Sequence, residues 1–191
     1  RAADLVARAK QAGADAADAV YAASSSEGIQ VRLGKLEDVE RSEGEHMGLR
    51  VFIGNRSASI GSSDLSSAAL DELAERAVAM ARAAPEDQYA GLAPEELLTT
   101  APFADLDLYD PTGPGAEALR AAAEEAEEAA RAISGVSNSD GASASAGFSV
   151  FALATSHGFA GGYHGSSHSI SASVVAGEGA DKQRDAAWRQ T

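Results

Sequence analysis

Four histidines, His46, His157, His164 and His168, are the residues whose type best suits metal or acid-base chemistry. His164 and His168 stand four apart, a spacing that on a helix sets two zinc ligands on one face. Gly165, Ser166 and Ser167 between them disfavour a helix. On a strand the same spacing separates the two α-carbons by ~13 Å, too far for one ion. The glutamate that serves as general base in His-Glu-x-x-His is also missing. Surface strand positions are therefore the plainer account of His157, His164 and His168. No Gly-x-Ser-x-Gly elbow occurs, and Gly161-Gly162-Tyr163-His164-Gly165 shares only its glycines. Gly44-Glu45-His46-Met47-Gly48 lacks the Gly-Lys-Ser/Thr and the strand-loop-helix order of a phosphate loop, so a β-turn or bulge is expected there. The expectation is a chain with no catalytic triad, no metal ligand set and no cofactor of its own.

The elements that carry these residues follow from apolar periodicity. Ile29, Val31 and Leu33 alternate with Gln30 and Arg32, as do Leu49, Val51 and Ile53 with Arg50 and Phe52, and Ala58 and Ile60 extend the pattern. Gly34-Lys35 and Gly54-Asn55 are placed to close hairpins between these strands. A helix begins after Asp64-Leu65-Ser66, with Ser66 as cap and Leu65 stapled onto Leu70. Its stripe is Leu70, Leu73, Ala77, Met80 and Ala84, and Pro85 stops it. Ahead of the meander, Leu5, Val6 and Ala9 mark a short helix ended by Gly13, and Ala16 to Ser25 favours strand.

All five prolines fall between Pro85 and Pro114, which marks a connection, with Asp105 to Asp110 as a short extended piece inside it. A second helix over Ala116 to Ile133 presents Leu119, Ala122, Ala126, Ala129 and Ile133, while Glu124, Glu125, Glu127 and Glu128 read as a solvated face with a Glu127–Arg131 pair. Beyond Gly135 the chain is Gly/Ser-rich, but Phe148, Val150, Ala152 and Ala154, then Ile170, Ala172 and Val174, alternate as strands about a turn at Gly158, Gly161 and Gly162. The predicted fold is α+β: antiparallel β-meanders covered by helices, in two helix-plus-meander halves (about 1–84 and 115–191, joined across 85–114) that form one two-layer unit.

Composition narrows the function. The chain has 191 residues, no cysteine and a formal net charge of -14, from 29 acidic against 15 basic residues. That balance opposes any broad grip on nucleic acid, which needs clustered cations to displace phosphate counterions. No apolar run reaches the roughly 20 residues that span a bilayer, and no N-terminal signal pattern is present, so the cytoplasm is the default expectation. Arg1 at the start and Trp188-Arg189-Gln190-Thr191 at the end lead us to expect a fragment of a longer protein, lacking its C-terminal domain.

Several stretches together resemble the N-terminal part of the TldD/PmbA family, most closely its PmbA/TldE branch. They are Ala12-Gly13-Ala14-Asp15, Val31-Arg32-Leu33-Gly34-Lys35-Leu36-Glu37, Gly48-Leu49-Arg50-Val51-Phe52-Ile53-Gly54 and Ser63-Asp64-Leu65-Ser66. Asp87-Gln88-Tyr89-Ala90-Gly91-Leu92, Asp105-Leu106-Asp107-Leu108-Tyr109-Asp110 and Ser156-His157-Gly158-Phe159 continue the series. The resemblance implies a non-catalytic region of a cytoplasmic metallopeptidase subunit, paired with a TldD-like subunit or with a second copy, and acting on unfolded or leader peptides such as a microcin precursor. It also implies that zinc sits in the catalytic partner, on a His-Glu-x-x-x-His motif that does not occur here. The family's other description, as a DNA gyrase modulator, implies the alternative of a regulatory binding protein without peptidase role.

For a peptide ligand, the expected contact is an unpaired strand edge between Phe159 and Val175, although pairing of that edge with the missing domain or a partner subunit is its plainer use. There the small residues Gly161, Gly162, Ser166 and Ser169 would admit a backbone whatever its side chains.

Overall fold

A computed structural model describes residues 1–191. Three helices accompany six strands: α1 (Ala2–Gln11), β1 (Ala16–Arg32), β2 (Lys35–Ile53), β3 (Arg56–Ser62), α2 (Ser67–Ala83), α3 (Ala116–Arg131), β4 (Val136–Thr155), β5 (Ala160–Ala176) and β6 (Gln183–Gln190). The strands form one antiparallel sheet in the order β3-β2-β1-β4-β5-β6. The α+β expectation holds. No helix is long and apolar enough to cross a membrane. By contact the residues fall into two compact units, the first comprising Arg1–Ala23, Gly44–Asp107 and Val150–His164, and the second Ser24–Glu43, Leu108–Ser149 and Gly165–Thr191.

In the first unit α1 buries Leu5, Val6 and Ala9, and Gly13 leaves the helix at φ +104°. The Ser66 hydroxyl caps α2 by accepting from the Ala69 amide at 3.4 Å. Leu70, Leu73, Ala74, Ala77, Val78 and Ala81 of α2 then close over Met47, Leu49 and Val51. The stripe is therefore rotated from the expected one: Met80 is exposed and Ala84 lies past the last turn. Leu49 pairs with Ile60 and Val51 with Ala58, so the alternation of β2 and β3 delivers one apolar face to the helices. Arg8 joins the helices by pairing with Asp4 on α1 and Asp71 on α2.

The second unit packs Leu119 and Ala123 of α3 on Ile29, Val31, Ala142, Ala144 and Ala146. Small alanines on β4 let the helix approach, and a Cβ on Gly141 would lie 2.8 Å from the Val31 carbonyl oxygen. Glu127 overturns its expected place on a solvated face: it is 1% exposed, while Ile133 of the expected stripe is 62% exposed. The favourable pair on this helix is Arg120–Glu124 at 2.8 Å.

Other local expectations are corrected as well. β1 is continuous through Gly28, because both of its neighbours in the sheet supply ladder bonds that outweigh the glycine. Gly44 to Gly48 is not a turn but lies inside β2. The first hairpin turns at Leu33-Gly34, both at positive φ, rather than at Gly34-Lys35. Asp105 to Asp110 docks on Ser166 of β5 through Leu108 and Asp110 but is broken by Asp107 at φ +51°. Gly161 and Gly162 lie within β5 beyond the turn, and β6 adds a strand whose exposed residues give no apolar alternation.

Candidate functional site

A cleft of about 710 Å³ opens in the first unit. β2 supplies His46, Gly48 and Arg50 to it, β3 supplies Ser59 to Gly61, β4 supplies Leu153 and Thr155, and Leu92, Ala93 and Leu98 of the proline-rich connection line another wall. Asp18 on β1 is 9% exposed, and its Oδ2 accepts from Nε and Nη2 of Arg50 at 3.0 and 2.5 Å. The pairing cancels a carboxylate that would otherwise be costly to cover. Arg50 also stacks over Phe52, with its guanidinium carbon 5.1 Å from the ring centroid.

His46 lies over Gly61, where a Cβ would fall 2.5 Å from its Nε2, so glycine makes room for the imidazole. His157 is held at both ring nitrogens. Its Nε2 is 3.1 Å from the Ala93 carbonyl oxygen and its Nδ1 3.0 Å from Thr155 Oγ1. A carbonyl can only accept, so Nε2 carries the proton and Nδ1 accepts from the threonine hydroxyl. Thr155 Oγ1 in turn accepts from the Phe159 amide at 3.2 Å. This chain of bonds pins the proline-rich connection to the β4–β5 turn.

Nowhere do three His, Asp or Glu side chains converge as a metal ligand set. The zinc that a metallopeptidase family implies therefore has no fitting site in these residues. His164 and His168 both lie on β5. The backbone of His168 exchanges two hydrogen bonds with Thr191 at 2.9 Å.

The four residues expected at a peptide edge have individual settings. A Cβ on Gly161 would meet the Phe159 and Phe103 rings at 3.0 and 3.2 Å, and one on Gly162 would fall 2.5 Å from the Phe151 carbonyl oxygen. Their small size serves close packing within the chain. The Ser166 amide donates to the Leu108 carbonyl at 2.8 Å and its hydroxyl accepts from the Asp110 amide at 2.9 Å. Ser169 is paired with Gln190 of β6, and its hydroxyl bonds that of Ser145 at 2.8 Å. β5 is thus an inner strand where β6 covers it, from Ser169 to Ala176.

The model of PmbA/TldA metallopeptidase domain 1 matches residues 17–81, and that of the central domain of the same metallopeptidases matches residues 109–190. The chain belongs to the PmbA/TldD family. It is 33% identical over 176 residues to metalloprotease PmbA of Escherichia coli O157:H7, covering 91% of this chain and 39% of that protein. The PmbA homologue of Haemophilus influenzae is 34% identical over 173 residues, covering 88% and 37%. The chain thus spans less than two fifths of the curated PmbA relatives it matches. Two solved structures share the fold. A Bacteroides thetaiotaomicron protein named as a modulator of DNA gyrase has a TM-score of 0.87 at 20% identity, covering 99% of this chain and 43% of its own. TldE from Thermococcus kodakarensis has a TM-score of 0.80 at 14% identity, covering 98% and 42%.

Sequence reading of this family member passed over the Asp18–Arg50 pair and the Thr155–His157–Ala93 chain. Asp18 carried a signal, a lone acid within an apolar strand run, which asks for a partner. The Ala93 carbonyl carried none, since a backbone acceptor has no residue type.

Proposed function

We propose that this chain is the N-terminal and central part of a PmbA/TldE-like subunit that takes up unfolded or leader peptides, while zinc and peptide-bond cleavage belong to a TldD-like partner. The observation that carries this reading is that two of the cleft's polar side chains are already committed, and no three of them form a ligand set. His157 is bonded at both nitrogens and Asp18 is neutralised by Arg50, so the cleft offers walls and hydrogen bonds but no vacant ligand set. The match to both successive metallopeptidase domains supports a role in peptide processing.

The test is metal analysis of the dialysed chain, followed by cleavage of an unfolded peptide with and without a TldD-like subunit, each with a chelator control. The expected result is peptide binding by the chain, no stoichiometric zinc in it, and chelator-sensitive cleavage only with the partner. Stoichiometric zinc and chelator-sensitive cleavage by the chain alone would overturn the reading. The gyrase-modulator name of the Bacteroides thetaiotaomicron neighbour favours a second reading, regulation without proteolysis. A change in gyrase supercoiling by the chain, with no peptide binding, would select it.

A further inference from the structure

β2 begins at Lys35, but its pairing with β3 extends only from Met47↔Ser62 to Ile53↔Arg56. Between Lys35 and Glu43 the strand therefore has β1 on one side and no strand on the other, and every residue of the stretch is exposed. A strand edge of this kind is a row of unpaired amides and carbonyls that templates an added strand. No proline interrupts it. Its tip is held in place, because the amides of Leu33 and Gly34 are bonded to Glu127 of α3. An edge fixed before binding loses less conformational freedom when a partner adds to it.

Charge selects the partner. The stretch carries four acids (Glu37, Asp38, Glu40, Glu43) against two bases (Lys35, Arg41), a net of -2. Arg41 is held by Glu43 at 2.6 Å, and Glu37 accepts from Gln30 at 2.8 Å. Asp38 and Glu40, two apart, then face the same side of the strand beside Leu36, itself 46% exposed. A second copy paired on this edge would set acid against acid, which is destabilising across strands. An incoming strand with Lys or Arg at positions i and i+2 would set a cation opposite each acid.

We propose that the outer edge of β2 from Lys35 to Glu43 receives an extended cationic peptide by strand addition, with Asp38 and Glu40 selecting alternate basic residues. This deepens the peptide-handling role proposed above and rests on it. The test uses a fluorescein-labelled peptide of alternating Lys and Thr, and a counterpart with Glu for Lys, titrated into the chain by fluorescence anisotropy. Amide hydrogen exchange of the labelled chain is followed alongside.

The expected result is binding of the Lys peptide about tenfold tighter than the Glu peptide, protection of alternate amides between Lys35 and Glu43, and loss of the preference in the D38K/E40K variant with its melting temperature unchanged. If both peptides bind equally, or protection appears elsewhere, or D38K/E40K keeps the preference, this edge is not the site although peptide binding stands. If neither peptide binds, the peptide-handling reading falls with it.

Discussion

Oε1 of Glu127 accepts a hydrogen bond from the amide of Leu33 at 2.7 Å, and through it a helix holds the tip of a hairpin. Leu33 sits at φ +52°, where a branched side chain is disfavoured, and Gly34 follows at φ +72°. Two successive residues in this conformation turn their amides inward as a cradle for an anion. Oε2 of the same carboxylate takes the Gly34 amide at 2.8 Å, and Ser139 Oγ donates to Oε1 at 2.5 Å while accepting from the Gly141 amide. Glu127→Ala leaves two amides and a hydroxyl without their acceptor in a covered site, and is expected to destabilise by about 3–5 kcal/mol. Glu127→Gln keeps one acceptor oxygen and is expected to lose less, about 1–3 kcal/mol, by urea unfolding.

The same carboxylate sets a pH dependence. Burial pushes the Glu127 carboxyl up, but the Ser139 hydroxyl and the Gly34 and Leu33 amides outweigh it and hold the group below its ordinary 4.5. The unfolded chain then takes up this proton at a higher pH than the folded one. Its stabilisation is complete above about 4.5, declines as pH falls through that value, and is gone below the folded value. Glu127→Gln is expected to flatten the acid limb of the stability curve. Glu45, Asp64 and Asp110 are also held low and titrate alike in both proteins, so the difference between the two curves isolates Glu127.

Glycines of this chain are expected to divide sharply on substitution by alanine. At Gly162 the new methyl would fall 2.5 Å from the Phe151 carbonyl oxygen and 3.1 Å from the Ala152 α-carbon, both backbone. A loss of about 1–3 kcal/mol is expected. At Gly48 nothing lies within 4 Å, and the substitution is expected to be neutral or slightly stabilising because it restricts the unfolded chain. Thermal unfolding of the two variants side by side checks the contrast.

His157→Ala removes the bond to the Ala93 carbonyl and the one to Thr155. The expected outcome is faster proteolytic cleavage between Pro85 and Leu98, with the melting temperature lowered only by the equivalent of about 1 kcal/mol. Unchanged cleavage would show that the connection is held by other contacts.

Local signals in the sequence were read well and long-range ones poorly, for a physical reason. Gly13, the Ser66 cap and the Gly54-Asn55 turn are decided by their own backbone chemistry, and each stands where the sequence put it. Burial of Glu127 depends on amides 94 and 93 residues away, so its charge alone pointed to solvent. The extension of β1 through Gly28 and of β2 through Gly44 depends on neighbouring strands that a local pattern does not contain. β6 was missed because the run Gln-Arg-Asp-Ala-Ala-Trp-Arg-Gln has no apolar face, and it holds its place by pairing with β5.

The division of the long strands has a genetic consequence. Each compact unit is assembled from three separate lengths of chain, and β1, β2, β4 and β5 each contribute residues to both. No single pair of start and stop codons therefore encodes one unit without severing the other. A nonsense mutation after the β1–β2 hairpin removes material from two hydrophobic cores at once, and neither unit can be inherited, duplicated or grafted onto another gene as a continuous exon.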